Sequence, residues 1–568
     1  MRSRWHPAGV MLSLMSALVV ISGTAFAQSD VVSVHVDAAR RGEPLKHVWQ
    51  YYGFDECNYT TTVDCVDLMK MVAQINTRPT YLRKHFLLNS GDGTADLKWG
   101  STNVYTEDSD GRAVYSWQIL DSIMDAVVGS GCRPLVEIGF MPRDLSSRPE
   151  PYRNSDTYKL DGGCFYPPKN YEKWAELIRQ WARHSAERYT GIEDNWLWEL
   201  WNEPDIAYWH GTHEEYCKLF DYTEQALHEI LPRATLGGPH TAGSGRFFRD
   251  FLAHCAGGTN HVSGAQGTRL DYIGFHAKGG VSLHQGHVRM DLGNQLRLHN
   301  RGFGVVADFP KYRDTPIIIG EADPDGCAAC PSTKFPERAY RNVPAYGAYE
   351  VAMMKYSLDL AKRQKVNLRG VVTWAFLFDG QPYFEGFRSL ATNGIHKPVL
   401  NAFKMLGQLT GDEIPLTSDG AVGLDEILRA GVRANPDING LAVADDRCVK
   451  ALLWNYHDDL VATEPAMMQL RVTLPGSFGP KARLTHYRID DTHSNAYAKW
   501  VRLGSPPTPS PERLAQMRAS MQLELLEPVR SVEVKDGRVM LDFELPRFGL
   551  SLILLEKAAE ANPTEPPW

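Results

Sequence analysis

Two glutamates offer the clearest chemistry in this sequence. Glu203 stands in "WLWELWNEPD" (196–205), an aromatic run that ends in an acid set between Asn202 and Pro204. Glu321 stands in "TPIIIGEADP" (315–324), an aliphatic run that ends the same way. A carboxylate at the tip of an apolar strand is either a cap or turn former, or it works from a rigid post. Two such posts facing each other suit cleavage of a glycosidic bond. One acid protonates the leaving oxygen, and one carboxylate stands across the anomeric carbon. A retaining reaction then requires the carboxyl groups roughly 5–5.5 Å apart, and a gap near about 8 Å would mean inversion. An acid in a partly apolar pocket beside a second carboxylate is expected to have a raised pKa, which keeps it protonated near neutral pH.

The elements that must hold these acids read as strands alternating with helices. Short apolar runs recur at 47–54, 80–86, 133–140, 195–204, 233–239, 270–278, 315–323 and 368–376. Between them the helical period shows: in "YEKWAELIRQWARHSAERY", Tyr171, Trp174, Ile178, Trp181 and Ser185 share one face. Eight strands over roughly 350 residues predict a (β/α)8 TIM barrel, 47–412, with chemistry at the C-terminal strand ends. A doubly wound open sheet is the alternative. It usually carries a glycine fingerprint in its first βα turn, and none is seen. After about residue 410 the pattern becomes alternating strands separated by turns, an antiparallel β-sandwich over 413–557. Residues 28–46 hold one more strand, "DVVSVHVDA", expected to pair with the sandwich, and 558–568 read as a frayed tail.

The N-terminus has Arg2 and Arg4, an apolar stretch, then Ala25-Phe26-Ala27. That order predicts a secretory signal over 1–27, cleaved after Ala27, and export to the periplasm or the medium. No other segment reads as a membrane span, and a formal net charge of −8 gives no nucleic-acid footprint. Fourteen Trp and 24 Tyr suit stacking on sugars but equally fill cores. The histidines are scattered, no H-E-x-x-H occurs, and the mechanism needs no metal or cofactor. Nine cysteines leave at least one thiol unpaired. Cys57 with Cys65 is a plausible local bridge, and "CAAC" (327–330) sits in a Pro/Gly/Ala loop where a staple fits better than redox chemistry.

The strand ends supply further candidates. Strand two ends in Arg83 and His85, strand four in Asn202 and Glu203, and strand six in His276, with Lys278 beyond it. Strand seven ends in Glu321 near Asp323, and strand eight carries Trp374. Glu199 should lie about 13 Å below Glu203 at ~3.3 Å per residue, a paired interior acid or a decoy. Glu137 reads as structural, and Asp323 as a turn former with Pro324. His276 has the competing reading of a satisfied core histidine.

The motifs "WELWNEPD", "IIIGEADP" and "VVTWAF" resemble glycoside hydrolase family 39, the β-D-xylosidases and α-L-iduronidases, with the likeness running from about 47 to 556. "YRIDDTHSNAYAKWVRLGSP" is similar to the xylosidases; "HCAGGTNHVSGAQGTRLDYIGFHAKG" looks more like the iduronidases. The resemblance implies a retaining double displacement with Glu203 as acid/base and Glu321 as nucleophile. It implies Asn202 on the sugar 2-hydroxyl, His85 and His276 on other hydroxyls, Trp374 as floor, and Arg83 steadying Glu321. Lys278 and Arg388 match cationic contacts to a uronate in the iduronidases, whereas Thr373-Trp374 follows the xylosidases. The expected activity is therefore an exported exo-β-D-xylosidase on short xylo-oligosaccharides. The alternatives are an α-L-iduronidase-like or α-L-arabinosidase activity, or a carbohydrate-binding protein of the same fold. Oligomeric state stays open.

Overall fold

The structure, a computed structural model, describes residues 31–153, 159–374 and 376–557. The expected signal segment and C-terminal tail lie outside the described residues. Eight parallel strands close a barrel: Tyr51–Phe54, Tyr81–Lys84, Arg133–Ile138, Leu197–Leu200, Thr235–Thr241, Tyr272–Phe275, Pro316–Ile319 and Asn367–Thr373. They are called strands one to eight below. Closure excludes the open-sheet alternative, because Val372 and Thr373 of strand eight pair back onto Tyr51 and Tyr52 of strand one. Each strand is short and almost wholly buried, since one face packs the barrel interior and the other meets the helices. Inside, Tyr51, Tyr81, Leu135, Leu197, Tyr272, Ile318 and Val372 form an apolar plug beneath the functional end.

The helix Tyr171–Arg188 buries Trp174, Ile178, Trp181 and Ser185 as its period requires, and Asn170 caps it through Lys173 N at 3.0 Å. The helix Pro344–Gln364 is different. It is buried on nearly all sides, because it is wedged between the barrel and the second sheet system. A helix amphipathic in the ordinary sense could not sit there.

Two sheets build the sandwich. One runs 416–418, 32–37, 466–473, 538–545. The other is seven-stranded and includes 437–444, 448–456, 550–557 and 481–489. The pairing is antiparallel except that Val32–Asp37 runs parallel to Ala466–Thr473. That strand arrives from outside the sandwich's own meander, so no hairpin dictates its direction. Cys327 and Cys330 form a disulfide, while Cys57 and Cys65 are separate buried thiols. Cys57 lies in a short 3-10 turn with its sulfur directed at Phe86 O, 3.8 Å away, and Cys65 lies on the next helix. No helix among the described residues is long and apolar enough to cross a membrane.

Barrel and sandwich are joined through buried Asp437. It accepts from Tyr356 Oη and Trp454 Nε1, each at 2.8 Å, and from Val422 N at 2.9 Å. Asp437→Leu would orphan buried donors on both sides of the junction and should cost about 2–4 kcal/mol. A lowered urea midpoint is the expected reading; an unchanged midpoint would mean the junction does not depend on this acceptor.

Candidate active site

The interior acids and one arginine create the site from below. Arg83, at the end of strand two, is fully buried. Its Nε donates to Glu199 Oε1 at 2.6 Å, its Nη2 reaches Glu137 at 3.1 Å and Asn202 Oδ1 at 3.0 Å, and its Nη1 reaches Glu321 Oε1 at 3.3 Å. Glu199 is thus the paired interior acid, bound also by His240 Nε2 at 2.7 Å. Burial pushes Glu137 up to about 8, against the pull of His85 and Arg83. Arg83 can only donate, so Asn202 must turn its oxygen toward it.

Above this layer stand the two posts. Glu203 takes a left-handed backbone, φ 45°, held by its N–H on His240 O at 2.9 Å and followed by Pro204, which disfavours a helical continuation. Glu321 continues strand seven, its carbonyl accepting from Ala277 N at 3.0 Å, while Ala322 N donates to Val372 O at 3.0 Å. Glycine makes room twice. A Cβ on Gly320 would lie 2.3 Å from His240 Nδ1, and one on Gly53 would lie 2.2 Å from the Trp374 ring. Trp374 therefore lies across strand one, beneath His85 (ring centroids 4.4 Å) and over the Arg83 guanidinium (4.8 Å).

Glu203 and Glu321 face each other, with carboxylate oxygens within 4.8 Å. Between them lies Lys278, its Nζ 3.1 Å from Glu203 Oε1 and 2.6 Å from Glu321 Oε2. This overturns the expected raised pKa. Burial does push Glu203 up, but Lys278 and the His276 hydrogen bond outweigh it and bring it down to about 2. Glu321 is likewise lowered, by Lys278, His276 and His85 against burial. His85 is raised to about 9: burial opposes its charge, but Glu137, Asp55 and Glu321 prevail.

The cavity at this mouth is about 40 Å³ and is lined by Asp55, His85, Lys98, Asn202, Glu203, Tyr208, Lys278, Glu321, Trp374 and the segment 326–329. Two expected sugar contacts do not line it. His276 is fully buried; its Nδ1 donates to Glu203 Oε1 at 2.9 Å, so it positions that acid from behind. Arg388 is also fully buried, spent on Asp323 at 3.4 Å and Asp325 at 3.1 Å. Asp323 is no mere turn former: its carboxylate accepts from Trp374 N at 3.1 Å and pairs with Arg388. Asp55, Lys98, Tyr208 and the 326–329 segment were missed. Asp55 directly follows strand one, so the strand-end rule could have found it. The others sit on loops whose paths no periodicity announces.

Two groups among the described residues bring three metal-type ligand atoms within 4.8 Å: Glu203–His276–Glu321 and Asp221–His254–His261. In the first, the Lys278 ammonium already sits between the carboxylates. In the second, Asp221 is engaged by Thr268 Oγ1 at 2.6 Å and His261 N at 2.8 Å. A larger cavity, about 680 Å³, lies at the barrel–sandwich junction; its Lys362 and Lys355 are already paired with Glu413 and Asp359.

The family model described as glycosyl hydrolases family 39 matches residues 32–536. The chain is 24% identical to a beta-xylosidase of Geobacillus stearothermophilus, over 92% of this chain and 95% of that protein. It is 27% identical to the alpha-L-iduronidase of Mus musculus, over 96% of this chain and 83% of that one. Its fold is similar to the crystal structure of a monomeric beta-xylosidase from Caulobacter crescentus CB15, with TM-score 0.71 and 21% identity, covering 93% of this chain and 100% of the other.

The Lys278 bridge generates a pH prediction. With the ammonium in place both carboxyl groups are held low. Removing it in Lys278→Met lets both rise, so a carboxyl required protonated stays protonated to higher pH, and one required ionised ionises later. Both limbs of the kcat/KM profile on an aryl glycoside should move up by about one pH unit or more, whatever happens to the maximum. An unmoved profile would mean that the bridge does not set these acids.

Proposed function

The chain belongs to glycoside hydrolase family 39, and from that premise we propose that it is an exported, exo-acting, retaining β-D-xylosidase releasing xylose from the non-reducing ends of short xylo-oligosaccharides. The observation that carries the reading is the facing pair Glu203 and Glu321, with oxygens within 4.8 Å. That spacing favours retention, because the wider inverting gap exists to hold a water between acid and sugar.

In the first step Glu203, which takes a proton from solvent once Lys278 has left it, gives that proton to the glycosidic oxygen as the bond from that oxygen to the anomeric carbon breaks and a Glu321 oxygen bonds to the same carbon. In the second, Glu203 takes a proton from water, the water oxygen bonds to that carbon, and the bond to Glu321 breaks. Arg83 and His85 hold Glu321 in its attacking position and stabilise it as an anion. With its oxygen on Arg83, Asn202 has its amide N–H groups left for the sugar 2-hydroxyl, a contact that strengthens as charge develops. Trp374 forms the floor. Lys278 must leave Glu203 before that residue can hold a proton, so the entering sugar displaces the ammonium. His276 stays behind to fix the Glu203 rotamer.

Trp374 on the cavity lining supports a pentose, which has no C6 group to crowd against it. Relatives named beta-xylosidase support it too. Export rests on the charged, apolar and Ala-Phe-Ala order of the first 27 residues. One observation favours a second reading, an α-L-iduronidase-like uronidase: Lys278 reaches the cavity and can pair with a uronate carboxylate. The second cation expected for that role, Arg388, is buried elsewhere.

A panel of aryl β-D-xyloside, α-L-arabinoside, β-D-galactoside and α-L-iduronide tests the assignment. The xyloside should have the highest kcat/KM; an iduronide preference would replace this reading with the second. Glu321→Ala should abolish most turnover. Glu203→Gln should slow poor leaving groups by about 10²–10⁴-fold and activated ones less, with azide rescuing the second step. Equal losses on both substrates without azide rescue would remove Glu203 from the acid/base role.

A further inference from the structure

We propose that the Cys327–Cys330 disulfide is a specificity element: the short loop it closes is a fixed wall of the sugar pocket that admits a pentose ring and rejects one bearing an exocyclic carbon. The inference rests on the xyloside reading above and adds the part of the chain that enforces it.

The placement is direct. Gly326, Cys327, Ala328 and Ala329 line the cavity together with His85, Asn202, Glu321 and Trp374. The wall is apolar. Ala328 and Ala329 are buried against Trp374, Phe378 and Phe387. A hydroxymethyl group pushed into that surface would meet methyl groups and rings, and its hydroxyl would find no side-chain donor or acceptor on Ala328 or Ala329.

The wall is also held still. Fully buried Arg341 pairs with both oxygens of Asp325 at 2.8 Å and donates to Cys327 O at 2.6 Å and Cys330 O at 2.5 Å. Asp325 in turn accepts from Cys327 N at 2.9 Å. Arg388, which the sequence offered as a sugar contact, instead supports the loop: its backbone N–H donates to Ala328 O at 3.1 Å and its Nε to Trp374 O at 3.1 Å. One buried cation pair therefore ties the loop after strand seven to the floor on strand eight. Lys278 has the flexible stem and a partly exposed head, so when a sugar enters, the lysine yields and the wall does not.

The disulfide's position says what it is for. Of nine cysteines, only these two are joined, and the other seven are buried thiols. The bridge spans a sequence separation of 3. The entropic benefit of a cross-link grows with the loop it closes, so this one contributes little to global stability and acts on local shape.

The test compares kcat/KM for 4-nitrophenyl β-D-xyloside and β-D-glucoside, which differ by one hydroxymethyl group. It is run on the oxidised enzyme, on the enzyme treated with dithiothreitol, and on Cys327→Ser/Cys330→Ser. Dithiothreitol supplies two electrons and two protons to give two thiols and leaves as its own cyclic disulfide; mass spectrometry of alkylated protein confirms the state. The expected result is at least a fivefold fall in the xyloside/glucoside ratio after reduction, carried by better use of the glucoside, with recovery on reoxidation. The double variant should match the reduced enzyme, and if it fails to fold, the reversible reduction alone decides. A ratio that changes less than fivefold while xyloside is still hydrolysed overturns the wall and leaves the substrate reading intact. An oxidised enzyme that does not hydrolyse the xyloside at all overturns the substrate reading and this proposal with it.

Discussion

The arrangement at the barrel mouth depends on one buried cation. Arg83 is sealed from water and touches Glu137, Glu199 and Glu321 at once. A guanidinium is suited to this because its planar fork serves several acceptors and does not lose its proton. Without it, acids packed into an interior this dry would have to take up protons or move apart. With it, Glu199 is pulled below the usual carboxylate range by Arg83 and His240 against burial, burial still leaves Glu137 raised, and Glu321 is held above the plug of tyrosines. Asn202 and Trp374 are set by the same group, one through a hydrogen bond and one through its ring face.

The sandwich contributes by holding the barrel's last helices. Pro344–Gln364 is buried between the two, so strands seven and eight, which carry Glu321 and Trp374, are braced from outside. This is a mechanical role. None of the residues lining the cavity comes from the sandwich.

Much of this was legible in the sequence, for identifiable reasons. Barrel strands are buried on both faces, so each is a short greasy run, and eight such runs separated by helices leave few architectures. Glu203 and Glu321 stood out because a charged residue at the end of such a run is either a cap or turn former or a group held out on a rigid post. The iduronidase-like expectation for Arg388 failed because the same residue type that binds a uronate also holds a loop, and only the position of Asp323 and Asp325 tells which. His276 falls at the strand end as expected, but its Nδ1 is on Glu203 Oε1 and it does not line the cavity where a ring hydroxyl was expected to meet it. Tyr208, Lys98 and the 326–329 wall were invisible because loop paths follow from packing between distant segments, and no local period encodes them. The raised pKa expected for a paired acid failed for a related reason: it considered the two carboxylates without the lysine that a loop would place between them.

That lysine clarifies how one site can hold both a stable resting state and a reactive one. The pocket carries two counterions of different character. Arg83 is rigid, buried and permanent; Lys278 is long-stemmed, partly exposed and removable. Lys278 stands on both carboxylates and, with His276, holds Glu203 low against burial. In the mechanism proposed above, the entering sugar displaces the ammonium and so removes the cation that lowered Glu203, while Arg83 and His85 remain on Glu321. On that proposal the two acids, both held low by the lysine, become unlike once a sugar is bound, one able to hold a proton and one not. The double displacement proposed above needs that asymmetry, and on this reading it follows from which counterion the substrate can displace and which it cannot.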